Sequence, residues 1–67
     1  MSNQALTFRS IFKHTATYEL IQKQMHMGLP ISYAESFALE LGRQLSERGQ
    51  LKVSGDEVRE VLIAEFE

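Results

Sequence analysis

The amino-acid sequence predicts an all-α protein, a small bundle of three to four helices. Two apolar stretches, residues 18–28 and 34–49, have helical rather than strand spacing, and each ends at a glycine. Ser32 and Ser54 each precede a glutamate by three residues, the spacing of a capping box in which two side chains satisfy backbone N–H groups at a helix start. The chain is short enough that residues 1–67 are expected to form one small helical domain.

The first helical region is predicted over about residues 8–27. Thr7 is a candidate helix cap, and apolar residues follow it at helical spacing: Phe8, Ile11 and Phe12. Residues 14–16 make a poor helix interior and a fair cap, so the region is either one helix or two helices broken near these residues. Residues 24–30 (QMHMGLP) end the region, because glycine suits the position just past a helix and proline cannot continue one.

Two further helices are predicted, over residues 33–48 and 55–66. The first should be capped by Ser32 and Glu35 and stop at Gly49. Its expected buried face consists of Ala34, Phe37, Ala38, Leu41 and Leu45. The second should be capped by Ser54 and Glu57, with Val53 and Val58 placed as a hydrophobic staple.

Composition narrows the class of protein. There is no cysteine, which excludes disulfides and thiolate metal sites. The N-terminal residues lack the apolar run of a signal peptide, and no stretch approaches a membrane span, so we expect a soluble, cytoplasmic protein. The net charge is −2. Residues 1–30 hold three cationic side chains and one carboxylate, whereas residues 31–67 hold four cationic side chains and eight carboxylates. This balance argues against a nucleic-acid footprint over most of the surface.

Residues 25–27, Met-His-Met, are the only stretch that suggests a soft-metal site. Successive side chains of a helix point about 100° apart, so these three cannot converge on one ion. A helix end explains them better, because a histidine there interacts favourably with the helix dipole. We therefore predict no metal and no cofactor. No catalytic motif is present either, so we predict no catalytic residues and no enzyme.

Some apolar residues do not fit the predicted buried faces and are candidates for contacts with another chain. They are Leu39 on the long helix and Ile63 on the last helix, together with Phe8 and Phe12, whose N-terminal segment is too short to form a core alone. Either the other helices of the same chain cover these residues or a second chain does. A chain of this size forms a marginal core by itself. We therefore expect a non-catalytic regulatory or protein-interaction module, a homodimer that uses these four residues and acts on an unidentified host or phage protein.

The alternative is a nucleic-acid-binding regulator. Arg9, Lys13 and Lys23 lie in the first third of the chain among aromatic residues. Cationic side chains can contact phosphates while aromatic rings stack on bases. Such a protein would lose affinity steeply as the salt concentration rises.

The helix pattern over residues 12–66 resembles the helical part of an ATP-cone, the nucleotide-sensing domain of ribonucleotide reductases. The similar segments are residues 18–21 (YELI), 45–49 (LSERG) and 53–58 (VSGDEV). The resemblance implies a nucleotide-sensing module, but the family's N-terminal hairpin with its nucleotide-binding residues is missing here. In its general character the chain also resembles the small helical accessory proteins of temperate phages and plasmids, which implies binding to a host or phage protein.

Overall fold

The structure, a computed structural model, describes residues 1–67 and contains four α-helices and no strand. The helices are α1 (Asn3–Phe12), α2 (Ala16–His26), α3 (Ile31–Glu47) and α4 (Gly55–Phe66). The predicted all-α bundle is therefore confirmed. None of the four helices combines the length and the apolar character needed to cross a membrane.

The first predicted helical region is two helices, and both begin at a hydroxyl side chain. Ser2 caps α1 by accepting a hydrogen bond from the Ala5 N–H at 3.1 Å, so the prediction that Thr7 caps the first helix is wrong. Thr15 caps α2 by accepting from the Tyr18 N–H at 3.2 Å, and its hydroxyl donates to the Phe12 carbonyl at 2.7 Å. One threonine thus ends α1 and starts α2.

Glycines end α2 and α3 in the same way. Gly28 and Gly49 have φ values of 82° and 70°, a left-handed conformation that costs glycine little. The residue after each glycine donates its N–H to a carbonyl five residues back: Leu29 to Gln24 at 3.1 Å, and Gln50 to Leu45 at 3.0 Å. This is the Schellman arrangement, and it satisfies carbonyls that the helix leaves unpaired.

The start of α3 differs from the prediction of residue 33 and a capping box at Ser32. Pro30 is the N-cap residue, without any side-chain capping bond, and Ser32 lies inside the first turn. Proline fixes φ near the observed −61° and has no N–H to satisfy, so the helix begins directly after it. The Glu35 carboxylate instead accepts from Arg59 Nε of α4 at 2.6 Å.

The start of α4 agrees with the prediction of residues 55–66. Ser54 accepts from the Glu57 N–H at 3.2 Å, and the Glu57 carboxylate accepts from the Ser54 N–H at 2.9 Å. Both halves of a capping box are therefore present. Val53 and Val58, the two residues of the predicted hydrophobic staple, both pack against Gly42 of α3, close to where a β-carbon would be.

The two serines give a matched test of these helix starts. Replacing Ser54 with alanine should lower the free energy of unfolding by about 1 kcal/mol, because the Glu57 N–H loses its acceptor. Replacing Ser32 with alanine should change it by less than about 0.5 kcal/mol, because Ser32 caps nothing. Urea unfolding followed by circular dichroism measures both. An equal loss for the two variants would contradict the observed start of α3.

Three pairs of helices pack against each other. α3 packs against both α2 and α4, and α1 packs against α4. Eleven residues are buried. Ten of them are apolar side chains that form one core: Ala5, Phe8, Phe12, Ile21, Ala34, Ala38, Leu45, Val58, Val61 and Leu62. Small residues at positions 34, 38 and 42 of α3 form the centre of its buried face, which lets its neighbours approach closely.

Aromatic rings join the N-terminal helices to the C-terminus. The rings of Phe8 and Phe12 stack with their centroids 5.4 Å apart. Tyr18 of α2 meets Phe12 edge-on at 5.1 Å, and Phe66 of α4 lies 5.4 Å from Tyr18. Offset and edge-on arrangements of this kind are the favourable ones for aromatic pairs. This cluster ties α1, α2 and α4 into one unit.

Candidate interaction surface

Two of the four residues predicted to contact another chain are inside the core. Phe8 and Phe12 have no exposed surface at all. Their prediction as contact residues is wrong, because α1 starts at Asn3 rather than near Phe8 and packs this whole aromatic stripe against α4. A side chain that is fully enclosed by its own subunit has no area left to offer a partner.

The other two predicted contact residues have different environments. Leu39 is half-buried and packs against the core, and Gly55 at the start of α4 lies beside it. It therefore offers a partner little surface. Ile63 is exposed on α4, and whether it contacts a partner stays a prediction. Phe37, assigned from the sequence to the buried face of the long helix, is exposed instead.

Most of the exposed large apolar side chains lie on α2, on α3 and in the turn that joins them. Eight large apolar residues are exposed: Met1 and Leu6 near the N-terminus, Ile63 on α4, and five more between residues 20 and 37. We call these five the α2–α3 apolar face: Leu20, Met27, Leu29, Tyr33 and Phe37. Their exposed fractions run from 36% to 70%.

Helix geometry places three members of the α2–α3 apolar face, Leu20, Tyr33 and Phe37, on one side of the molecule. The flank of α3 that bears Leu39 and Gly42 contacts α4. Because α3 also packs against α2, its opposite flank, which bears Phe37, must be the one beside α2. Tyr33 is one turn before Phe37 on this flank. On α2, Tyr18 meets Phe12 of α1 and Phe66 of α4. Leu20 lies about 160° around the helix from Tyr18, so helix geometry puts it on the flank nearer to α3.

Two opposite charges lie at the rim of this face on α2. Glu19 and Lys23 are exposed and flank Leu20 in the sequence. They are four residues apart on one helix, yet neither forms an ion pair within the subunit. On the outer side of α3, by contrast, Arg43 pairs with both Glu40 and Glu47. The rim charges on α2 can therefore pair with charges of another chain, whereas those on α3 already pair with each other within the subunit.

The basic residues predicted to contact nucleic acid lie in two different places. Arg9 Nε of α1 donates to the Glu65 carboxylate of α4 at 2.6 Å, and Lys13 Nζ lies 3.7 Å from the same oxygen. Lys23 is on the exposed side of α2, beside a shallow depression that Gln22, His26 and Met27 also line. The structure brings Arg9 and Lys13 together, but around a carboxylate, and it does not bring Lys23 to them.

Glu65 is the most buried charged side chain in these ion pairs, with 8% of its surface exposed. The hydrogen bond from Arg9 lowers the pKa of the Glu65 carboxyl. Burial acts in the opposite direction, and the charges of Arg9 and Lys13 and a hydrogen bond from Tyr18 Oη at 3.4 Å lower the pKa further. The carboxylate therefore stays ionised at neutral pH and holds α1, α2 and α4 together.

This cluster predicts an acid-dependent loss of stability. Replacing Glu65 with glutamine should cost about 1–3 kcal/mol at pH 7, because Arg9 loses a charged acceptor. The folded-state pKa of Glu65 is lowered, so its contribution is fully present above the unfolded-state pKa of about 4.3 and is lost as the pH falls through the folded-state value. The gap between wild type and variant should therefore narrow below about pH 4.

The control for Glu65 is Glu47, whose exposed carboxylate pairs with Arg43 one turn away on the same helix. Replacing Glu47 with glutamine should cost at most about 0.5 kcal/mol. Thermal unfolding of wild type and both variants between pH 3 and pH 7 makes the comparison. A Glu65→Gln variant that is as stable as wild type at pH 7 would contradict the structural role of this cluster.

The side chains of residues 25–27 point in different directions, as the helix spacing predicts. Met25 is half-buried and packs against the core, whereas His26 is exposed and Met27 is one of the most exposed apolar residues. No three histidine, cysteine or acidic side chains lie in an arrangement that could hold a metal ion. The prediction that these residues bind no metal remains open to calorimetry.

Comparison with known proteins finds no relative. No protein-family model matches the chain, and neither the curated proteins nor the solved structures contain a significant match. The resemblances to ATP-cones and to phage or plasmid accessory proteins therefore stay predictions.

Sequence reasoning missed the α2–α3 apolar face and Glu65. A signal for the face was present: Tyr33 and Phe37 are four residues apart and therefore share one side of a helix. The burial pattern of α3 depends on which flanks its neighbours cover, and that is a property of the whole fold. Glu65 carried no sequence signal, because its partners are 47 to 56 residues away.

Proposed function

We propose that this protein is a non-catalytic regulatory or protein-interaction module that assembles as a homodimer. The observation that carries the proposal is the α2–α3 apolar face, five large apolar side chains exposed on α2, on α3 and in the turn that joins them. A large exposed apolar patch on a small protein commonly marks a site of protein–protein contact. Tyrosine, phenylalanine and methionine, three members of the face, are enriched at such contacts.

The size of the face fits a dimer. If a fully exposed large side chain presents roughly 200 Å², the five exposed fractions correspond to about 500 Å². A standard interface buries about 800 Å² per partner, of which a little over half is apolar, or about 450 Å². The exposed apolar area of the face is therefore of the size that a contact between two copies buries, and two-fold pairing is the commonest soluble assembly.

The nucleic-acid alternative has weaker support. Two of its three basic residues, Arg9 and Lys13, surround the Glu65 carboxylate, so phosphate groups would compete with an internal ion pair. The third, Lys23, lies on another helix. An electrophoretic shift assay at two salt concentrations tests this alternative, since phosphate binding weakens steeply with salt.

Sedimentation equilibrium of the wild-type chain over a wide micromolar range tests the homodimer. We expect the mass to rise from about one subunit to two across the range, with a melting temperature that rises as well, because association stabilises the folded state. A monomer at every concentration, with a constant melting temperature, would refute the proposed assembly.

A further inference from the structure

We infer that the second copy docks on the α2–α3 apolar face in an antiparallel two-fold arrangement, with α2 against α2 and α3 against α3 of the partner subunit. This inference rests on the proposed homodimer and specifies its interface. A two-fold interface brings the same patch of both subunits together, so the patch must be complementary to itself. The apolar residues Tyr33, Phe37 and Leu41 of α3 and the rim charges of α2 satisfy that condition.

The apolar residues of α3 are arranged symmetrically about Phe37. Tyr33 lies one turn before Phe37, and the half-buried Leu41 lies one turn after it, on the same flank. An antiparallel two-fold axis beside Phe37 therefore places Tyr33 against Leu41 of the partner subunit, and the reverse. The two Phe37 rings meet at the axis, where a central aromatic residue contributes most to binding.

The same axis fits α2. The turn that joins the helices is centred between Gly28 and Leu29, and Ile21 and Phe37 lie at similar distances from it along their helices. Glu19 and Lys23 lie two residues on either side of Ile21. An axis that crosses the outer side of α2 at the level of Ile21, and of α3 at Phe37, therefore places Glu19 opposite Lys23 of the partner subunit, and Lys23 opposite the partner's Glu19.

The charges favour this arrangement over the crossed one. In a crossed dimer α2 would lie on α3 of the partner subunit, where Arg43 is already paired with Glu40 and Glu47. Glu19 would then meet a rim that holds one more carboxylate than cation. In the antiparallel arrangement the two charges that have no partner within the subunit acquire one.

Two variants that add the same charge locate the interface. Phe37→Glu should raise the dimer dissociation constant by about 100-fold or more, because it places two carboxylates at the centre of the contact. Ile63→Glu is the control: Ile63 is 51% exposed and Phe37 is 43% exposed, but Ile63 lies on α4, outside the face. It should leave the dissociation constant within about threefold. Circular dichroism checks that both variants are folded.

Charge reversal tests the antiparallel pairing. Glu19→Lys and Lys23→Glu should each weaken the homodimer by about tenfold, because like charges then meet across the interface. Mixing the two variants should restore association, since every rim position in the mixed dimer again faces an opposite charge. The double variant Glu19→Lys/Lys23→Glu should form a homodimer as tight as wild type to within about threefold. Sedimentation and native mass spectrometry measure all four samples.

The outcomes separate the two proposals. A wild-type chain that stays monomeric overturns the homodimer and this inference together. A wild-type dimer that Phe37→Glu does not weaken, or that Ile63→Glu weakens equally, leaves the homodimer standing and overturns the assigned face. A dimer that Phe37→Glu weakens but that the mixed charge variants do not restore overturns the antiparallel pairing.

Discussion

Replacing Gly42 with valine is expected to destabilise the subunit by about 3 kcal/mol, one of the largest effects of any single substitution. A β-carbon at position 42 would lie 2.8 Å from Val58 Cγ2 and 3.4 Å from Val53 Cγ1, and the branches of valine would add further overlap. Both neighbours are stiff β-branched side chains, so neither can move aside easily. Urea unfolding with a two-state fit measures the loss.

A double-mutant cycle shows whether the contact with Val58 is the cause. Gly42→Ala gains about 1 kcal/mol of helix propensity, which offsets part of its overpacking cost. Combined with Val58→Ala, which removes the nearest methyl group, the added β-carbon should become favourable, so the two changes should couple strongly. Strictly additive effects would contradict the close approach of α3 and α4 at this glycine.

Replacing Phe12 with alanine should cost about 3–5 kcal/mol. Phe12 is fully buried and is in contact with Phe8, Tyr18 and Phe66, so its removal leaves a cavity where three helices meet. A domain of this length has a total stability of about 3–10 kcal/mol, so the variant should be largely unfolded at 37 °C. Circular dichroism at 222 nm against temperature measures this directly.

The matched control for Phe12 is Phe37→Ala, which removes the same side chain from an exposed position. It should cost the isolated subunit less than about 1 kcal/mol when measured at low protein concentration. If Phe12→Ala instead kept the fold and only weakened self-association, the aromatic cluster would belong to an interface between copies rather than to the core of the subunit.

Local signals in the sequence were sufficient to predict the ends of most helices. The glycines at 28 and 49, the threonine at 15 and the capping box at Ser54 each act within a few residues, and the structure shows each of them in use. The failure at Ser32 has a local cause too. Pro30 lies nearer to the preceding turn and starts the helix before the serine can cap it.

The contents of the core and of the surface were harder to predict because they depend on tertiary packing. The sequence pattern of α3 offers a broad apolar face, and the structure buries the side that bears Leu39 while exposing the side that bears Phe37. The position of α4, which packs against Gly42, determines which side of α3 is buried, and this is a contact between distant parts of the chain. Phe8 and Phe12 were misassigned for the same reason, since α1 packs on the last helix.

The most direct test of the α2–α3 apolar face is isotope-filtered NOE spectroscopy on an equal mixture of labelled and unlabelled wild-type chain at high concentration. Only contacts between copies give signals in this experiment. We expect them from the rings of Tyr33 and Phe37, and between Tyr33 and Leu41 in particular. Signals from Ile63 or Leu6 in their place, or no signal between copies, would contradict docking on this face.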